Sequence, residues 1–332
     1  SRPAPRVATS PPPPSRPNVK KGLFAGQGRL KDVCSDLFAR RWGGLPVHGW
    51  AGLVLIAVFW PLNWSLSGLR TLWGFFPLWL GYALAVDALV LLRKGSSLLT
   101  RNATAYAGLF ACSAPAWWFF ELLNRRLQNW VYLGVDGISD LAYVLFSSLS
   151  FSTVIPAVFG TAELAGTFRW MRRFGNGPRL SPTPTVQRRS LALGIAGLLA
   201  LLIWPRYFFP LAWLAVYLIL EPLNIRLGYR SLLAETARGD WRGVFSLWTG
   251  CLVCGFFWEM WNILSYPKWI YQIPFVDFWH IFEMPVLGYA GYLPFSLELF
   301  ALYHLCAGLV ARGRLQDYIE LTPDGSDPTR PG

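Results

Sequence analysis

Long apolar stretches alternate with short polar segments along most of the chain. A helix needs about 20 mostly apolar residues to cross the hydrocarbon core of a bilayer. Eight stretches approach that length, four in each half of the chain: 49–66, 71–92, 103–123, 141–166, 190–204, 207–224, 244–264 and 279–311. The pattern predicts an all-α fold, a polytopic membrane bundle of about eight spans. The eighth stretch is long enough to break at Pro285 or Pro294.

Composition favours the membrane over a soluble fold. Of the 332 residues, 54% are hydrophobic and 14% are charged, whereas soluble domains carry roughly 25% charged residues. The 18 Trp fit the same picture, because Trp concentrates at the lipid headgroup level. The formal charge of +12 does not indicate nucleic-acid binding, since the basic residues lie in short segments between apolar runs and form no basic face.

The positions of Arg and Lys predict the orientation of the spans. Basic residues collect in cytoplasmic loops, and here they precede the first span and follow the second, fourth, sixth and last spans. Examples are Arg41, Arg93, Arg172, Arg226 and Arg312. We therefore expect a multi-pass protein of the inner membrane with both termini in the cytoplasm.

Two segments repeat within the chain, as tandem duplication predicts. FFPLWLGYALAVD, which ends at Asp87, aligns with the segment that ends at Glu221, and WFFELLN from Trp118 aligns with FFWEMWN from Phe256. Glu121 then matches Glu259, and Asn124 matches Asn262. Because each copy has an even number of spans, the two four-helix repeats are expected to run in parallel orientation, with substrate between the halves.

These boundaries divide the chain into five parts. They are a Pro-rich, basic, disordered cytoplasmic tail at 1–45, membrane repeat 1 at 46–167, a basic cytoplasmic linker at 168–189, membrane repeat 2 at 190–312 and a cytoplasmic tail at 313–332.

Acidic residues inside apolar spans need a partner, a water-filled cavity or a function, because a charge at the bilayer centre is costly. Asp87 and Glu221 lie near Arg93 and Arg226, so pairing is their simplest interpretation. Glu121 has Arg125 at i+4, the spacing of an ion pair on one helix face.

Glu259 is different, because no cation lies within a turn of it. Glu283, placed shortly into the last predicted span, has His280 at i−3 and matches Asp140 loosely in the first repeat. We expect Glu259 and Glu283 to converge in a dry pocket. Burial would keep such carboxyls protonated as proton donors, or they form hydrogen bonds that fix helix packing. These acids, with Asn262, His280, Glu121, Asn124 and Asp140, are the candidate catalytic residues.

Aromatic side chains crowd these acids. Those nearest in sequence are Trp258, Trp261, Trp118, Phe120 and Tyr271. They either face lipid or form a substrate-binding wall, because aromatic faces attract cations. No metal is predicted, since one His without a second Glu-x-x-His pattern falls short of a di-iron helical site.

A protonated carboxyl, a second carboxylate and aromatic walls are what carbocation chemistry on an isoprenoid requires. The two acid-bearing halves resemble the integral-membrane lycopene cyclases of bacteria and fungi. In that resemblance Trp258-Glu259 looks like the Trp-Asp position of the family, and Glu283 looks like its acidic pair. One Glu before Pro285 stands where that family has Pro followed by two adjacent acids.

The resemblance implies a non-redox cyclase, hydratase or isomerase that acts on a carotenoid or another isoprenoid without a nucleotide cofactor. Its partners would be the bilayer, a hydrophobic substrate and a second copy or a membrane complex. Two other classes stay open. A proton-coupled transporter also uses duplicated halves and intramembrane acids, and a non-catalytic subunit of a larger membrane complex needs neither reaction nor gradient.

Overall fold

The computed structural model describes residues 40–68 and 72–322. Most of the predicted tails, at 1–39 and 323–332, therefore lies outside the described residues. The described chain is mainly helical, as expected. In chain order its helices are α1 Val47–Ser65, α2 Phe75–Lys94, α3 Leu98–Arg101, α4 Ala103–Leu127, α5 Asp140–Phe151, α6 Val154–Gly166, α7 Pro184–Ile203, α8 Pro205–Phe208, α9 Ala215–Leu227, α10 Leu232–Ala237, α11 Arg242–Asn262 and α12 Tyr292–Ala311.

Within the described ranges, seven helical segments are long and apolar enough to cross a membrane. They are Val47–Ser65, Phe75–Lys94, Asp140–Gly166, Pro184–Ile203, Pro205–Leu227, Arg242–Asn262 and Val286–Ala311. The remaining predicted span forms α4, which has 25 residues but is less apolar because of its Trp, Tyr and Ser residues. A membrane-embedded helical bundle is therefore confirmed at this level.

Three predicted spans are interrupted. A turn at Ser152 and Thr153 separates α5 from α6, and a 3-10 helix at Phe209–Trp213 links α8 to α9. The last span was predicted to start at 279, which is wrong. Residues Val286–Gly291 form a 3-10 helix before α12, and the residues before it form a β-hairpin.

Three two-stranded antiparallel ribbons complete the described fold. They are β1 Arg41–Trp42 with β2 Leu45–Pro46, β3 Trp130–Leu133 with β4 Lys268–Tyr271, and β5 His280–Ile281 with β6 Met284–Pro285. The β3–β4 ribbon joins the N-terminal half, residues 47–166, to the C-terminal half, residues 184–311. Val131 pairs with Ile270 at its centre, and Trp130 and Tyr132 pair with Tyr271 and Trp269.

Asp87 and Glu221 do not pair with the arginines that follow them, as the sequence suggested. The Asp87 carboxylate accepts from Ser97 Oγ at 2.7 Å and from the Leu99 N–H at 3.0 Å, and it contacts His48 Nε2 at 3.2 Å. Each acid therefore lies in the interior and anchors the start of the next short helix, where backbone N–H groups are unpaired and favour a negative charge.

Glu221 makes the same contacts as Asp87. It accepts from Ser231 Oγ at 2.7 Å and from the Leu233 N–H at 2.6 Å. In both halves the serine follows the acid by ten residues and the N–H donor follows it by twelve.

Glycines allow the first two long helices of each half to cross closely. A Cβ on Gly52 in α1 would lie 2.6 Å from the Gly81 carbonyl oxygen of α2. A Cβ on Gly194 in α7 would lie 2.7 Å from the Ala215 carbonyl oxygen of α9. Gly81 precedes Asp87 by six residues, and Ala215 precedes Glu221 by six, so the two crossings share one register.

We expect Gly52→Val to destabilise the protein by about 1–3 kcal/mol, the range for overpacked side chains. The added side chain meets α2 backbone, which has no room to move aside. Gly108→Val is the matched control, because no atom lies within 4 Å of a Cβ at Gly108. Unfolding in detergent by added SDS measures both variants, and equal midpoints would contradict the close crossing.

Residues Leu315–Leu321 form a segment that we call the C-terminal strap. It lies within the predicted C-terminal tail at 313–332 and packs between the halves, with Tyr318, Ile319 and Leu321 buried. Tyr318 Oη donates to the Leu98 carbonyl at 2.7 Å, and Ser246 Oγ donates to the Leu321 carbonyl at 3.2 Å. The strap closes the end of the bundle that carries Lys94, Arg101 and Arg230, here called the arginine-rich end.

Candidate functional site

A cavity of about 420 Å³ lies between the two halves, at the end of the bundle opposite the arginine-rich end. Both strands of the β3–β4 ribbon contribute to its wall, together with α5, α11 and the start of α12. Side chains that line it include Phe75, Trp117, Trp130, Tyr132, Tyr143, Phe146, Ser147, Trp213, Trp258, Glu259, Asn262, Lys268, Trp269, Tyr271, Tyr292 and Phe295. Its size and aromatic walls suit an apolar ligand with few polar contacts.

Glu259 is the acid in this wall. Its side chain is fully buried. Tyr271 Oη donates to Glu259 Oε1 at 2.7 Å, and Tyr292 Oη donates to the same oxygen at 2.9 Å. Glu259 Oε2 has no hydrogen-bond partner among the described residues. One carboxyl oxygen is thus held in place, and the other is buried without a hydrogen-bond partner among the described residues.

Tyr271 is itself held at the end of β4. Trp269 Nε1 donates to Tyr271 Oη at 3.0 Å, while Tyr271 donates onward to Glu259. Burial raises the pKa of the Tyr271 phenol well above its ordinary value, and the nearby Glu259 carboxyl raises that pKa further. Tyr271 therefore stays an O–H donor at neutral pH and orients the acid.

Glu121 makes the matching arrangement in the N-terminal half, one layer behind the cavity wall. Its Oε1 accepts from Trp117 Nε1 at 2.9 Å, Trp130 Nε1 at 3.1 Å and Tyr132 Oη at 2.6 Å. The expected ion pair with Arg125 was wrong, because these three aromatic donors hold the carboxylate instead. Glu121 is absent from the cavity lining, whereas its three donors are part of it.

Asn124 and Asn262 position the two strands of the ribbon. Asn124 Nδ2 donates to the Trp130 carbonyl at 2.7 Å, and Asn124 Oδ1 accepts the Asn129 N–H at 2.9 Å. Asn262 Nδ2 donates to the Trp269 carbonyl at 2.7 Å, and Asn262 Oδ1 accepts the Trp269 N–H at 2.9 Å. Each asparagine follows its acid by three residues and fixes the strand whose tyrosine donates to that acid: Tyr132 to Glu121, and Tyr271 to Glu259.

Glu283 does not lie inside a span, so its predicted position in the last helix was wrong. It lies in the turn between β5 and β6, with its side chain 22% exposed, and forms an ion pair with Lys268. Lys268, rather than Glu283, lines the cavity.

His280 and Asp140 are absent from the cavity lining. His280 is exposed and contacts Asp277 Oδ1 at 2.9 Å. Asp140 is exposed at the first turn of α5. The structure therefore brings one predicted acid, Glu259, to the cavity surface, with Asn262 beside it.

Among the five aromatic residues expected to bind substrate, Trp258 and Tyr271 line the cavity. Trp261 and Phe120 are buried behind it, and Phe120 stacks on Trp213 with ring centroids 5.3 Å apart. Trp118 Nε1 donates to Ser148 Oγ of α5 at 2.9 Å. These last three residues therefore support the wall rather than form it.

Tyr292 of the site and two further buried acids were not predicted. The contact of Tyr292 with Glu259 spans 33 residues, beyond the reach of local patterns. Glu163 and Glu298 are buried acids inside apolar runs, and the intramembrane-acid rule applied to Glu259 also selects both.

Comparison of the chain with models of known protein families, with curated proteins and with solved structures gave no match.

Proposed function

We propose that the chain spans the inner membrane eight times as two tandem four-helix units, with both termini cytoplasmic. The N-terminal unit comprises α1, α2, α4 and α5–α6, and the C-terminal unit comprises α7, α8–α9, α11 and α12. The recurring contacts support this: acid to serine hydroxyl, asparagine to strand, acid to tyrosine, and glycine to backbone at matched positions.

The β3–β4 ribbon supports a parallel arrangement of the two units. Trp130 matches Trp269 in the alignment and pairs with Tyr271, while Tyr132 matches Tyr271 and pairs with Trp269. A reciprocal pairing of this kind is what a two-fold axis produces. Such an axis would pass between Val131 and Ile270, near the cavity, which would then be the shared site of both units.

The proposed activity is acid–base chemistry on a lipid-soluble isoprenoid, with Glu259 as the reacting acid. The observation that carries it is the unpartnered Oε2 of a fully buried carboxyl in an aromatic cavity inside a membrane bundle. Two tyrosines donate to Oε1 of Glu259, and Oε2 has no partner among the described residues, which leaves it to carry the proton.

The reaction balances without a redox partner. The O–H bond of protonated Glu259 breaks and a C–H bond forms at an alkene carbon, leaving a carbocation on the substrate. The faces of Trp258 and Trp130 attract that cation through their ring quadrupoles. Loss of a proton from a neighbouring carbon back to the Glu259 carboxylate restores a double bond and gives an isomer. When a second double bond of the substrate first attacks the cation, its π electrons form the ring C–C bond, the charge moves to another carbon, and loss of a proton there gives a cyclised isomer.

The resemblance to the integral-membrane lycopene cyclases agrees with this proposal at Trp258 and Glu259 and departs from it at Glu283. That second acid pairs with Lys268 outside the helices. The proposal therefore assigns proton donation and removal to Glu259 alone, with Tyr271 and Tyr292 as positioning residues. Lys268 at the cavity rim would contact any polar end of the substrate.

Conversion of acyclic isoprenoids by the purified protein tests the proposal. Lycopene and shorter acyclic isoprenoids are incubated with the protein in detergent and separated by chromatography with mass detection. We expect a product of unchanged mass and changed retention time. The mass stays the same because Glu259 takes back one proton from the substrate for the proton that it donates. Recovery of every substrate unchanged would refute the enzyme proposal.

A proton-coupled carrier is the second candidate, favoured by one observation. Glu298 is a further buried acid in α12, two turns from Tyr292, and intramembrane acids mark proton paths in carriers. The two candidates separate cleanly, since an enzyme converts substrate in detergent whereas a carrier needs two compartments and a proton gradient.

A further inference from the structure

Glu298 lies inside α12 and is 1% exposed. Neither of its carboxyl oxygens has a hydrogen-bond partner among the described residues. Every other fully buried acid in the described ranges makes at least one polar contact: Asp87, Glu163, Glu221 and Glu259. Glu298 thus differs from these four acids in that its carboxyl group has no polar partner among the described residues.

The interface between α9 and α12 holds further acceptors without donors. Asn224 of α9 is 0% exposed, and its Nδ2 donates to the carbonyl of Ala301, three residues after Glu298, at 2.8 Å. Asn224 Oδ1 and Glu221 Oε2 both lack a partner among the described residues. With the two oxygens of Glu298, four buried atoms of this region are acceptors that nothing in the described chain satisfies.

A donor must therefore be supplied, since buried polar atoms are rarely left unpaired and an ionised carboxylate without a partner is strongly disfavoured. A metal ion is a poor fit, because no three His, Cys, Asp or Glu side chains of the described residues form a metal-binding group. A proton on a carboxyl oxygen is sufficient, since it removes the charge and turns one acceptor into a donor.

We propose that Glu298 is a proton-binding site, a neutral carboxylic acid at neutral pH, and that its proton exchanges with water along the α9–α12 interface past Asn224. Binding transfers a proton from hydronium to the carboxylate, forms one O–H bond and releases one water molecule. Glu298 follows Phe295 by three residues, and Phe295 lines the cavity. The site thus lies one helical turn from the cavity wall. The proposed protonation of Glu298 does not depend on whether the protein is an enzyme or a carrier.

Infrared spectroscopy of the full chain in liposomes tests the proposal without any substrate. A protonated carboxylic acid has a carbonyl stretching band separate from that of carboxylate, and the band shifts when H₂O is replaced by D₂O. We expect the wild-type band at neutral pH to contain a Glu298 component beside that of protonated Glu259. Glu298→Gln should remove the Glu298 component, and Glu298→Asp should keep it at a shifted position. Wild-type and Glu298→Gln spectra that coincide in this region would overturn the assignment.

The exchange route has its own control. Asn224→Leu is expected to keep the Glu298 band and to slow its shift in D₂O at least tenfold, because it removes the polar side chain between Glu298 and the arginine-rich end. Glu259→Gln is expected to leave both the Glu298 band and its exchange unchanged. Unaltered exchange in Asn224→Leu would overturn the route. These spectra are recorded without substrate, so they do not depend on whether the protein is an enzyme. The proton site at Glu298 and the proposed function can therefore be refuted separately.

Discussion

Glu259→Gln is expected to lower turnover of an isoprenoid substrate by about 10²- to 10⁴-fold, the usual contribution of a positioned acid or base. Gln keeps the shape of the side chain and still accepts from Tyr271 and Tyr292, so the fold and the cavity are retained. It carries no exchangeable carboxyl proton, so the alkene is not protonated. Product formation per unit of purified protein, measured at saturating substrate, checks the effect.

Glu121→Gln is the matched control for this variant. Glu121 sits at the aligned position and accepts from three aromatic donors, but it lies behind the cavity wall. We expect its turnover to stay within about threefold of wild type. Equal losses in both variants would show that the acids act through structure, and full activity in Glu259→Gln would remove the catalytic assignment.

Arg101→Met is expected to destabilise the protein by about 3–5 kcal/mol, the cost of leaving a buried charge without its partner. Arg101 forms an ion pair with Glu163, whose side chain is 0% exposed, and Arg101 Nη2 also donates to the Tyr318 carbonyl of the C-terminal strap at 3.0 Å. The Glu320 N–H donates to Glu163 at 2.8 Å. Removing the guanidinium therefore leaves Glu163 with less compensation and loosens the strap.

The midpoint of SDS-induced unfolding in detergent measures this loss. Arg238→Met is the control, because Arg238 is exposed and its side chain makes no ion pair or hydrogen bond found in the described residues. If Arg101→Met and Arg238→Met unfold at the same SDS concentration, the buried ion pair does not hold the arginine-rich end together. The double variant Arg101→Met with Glu163→Gln is expected to recover part of the stability, since it removes a buried carboxylate left with the longer Lys94 contact at 3.5 Å and the Glu320 N–H.

Local sequence patterns predicted the helices and one acid of the site. Apolar runs of about 20 residues located the spans because burial of a helix in lipid needs that length. Glu259 was selected because no cation lies within one turn, and its polar partners are indeed tyrosines. The acid-to-acid matches of the internal alignment predicted equivalent positions, and the contacts of Asp87 and Glu221 proved alike although their expected arginine partners were wrong.

Features that depend on distant residues or on turns escaped prediction. Glu283 was taken as helical because apolar residues continue around it, yet Phe282 has φ of 57° and turns the chain between β5 and β6. An aromatic residue in the left-handed region is uncommon, so the sequence carries no signal for that turn. The C-terminal strap looked like a polar tail, and its buried position comes from contacts with α3, α6 and α11 that lie far away in the chain.

A lipid-soluble isoprenoid in the cavity beside Glu259 is expected to copurify with the protein. Absorbance and mass spectrometry are applied to organic extracts of wild type, of Ser147→Trp, which fills the cavity from α5, and of Leu145→Trp, which adds the same ring on the exposed face of α5. We predict an isoprenoid bound near one per chain in wild type and Leu145→Trp and absent from Ser147→Trp. The same phospholipids in all three extracts, with no isoprenoid in any, would contradict the account.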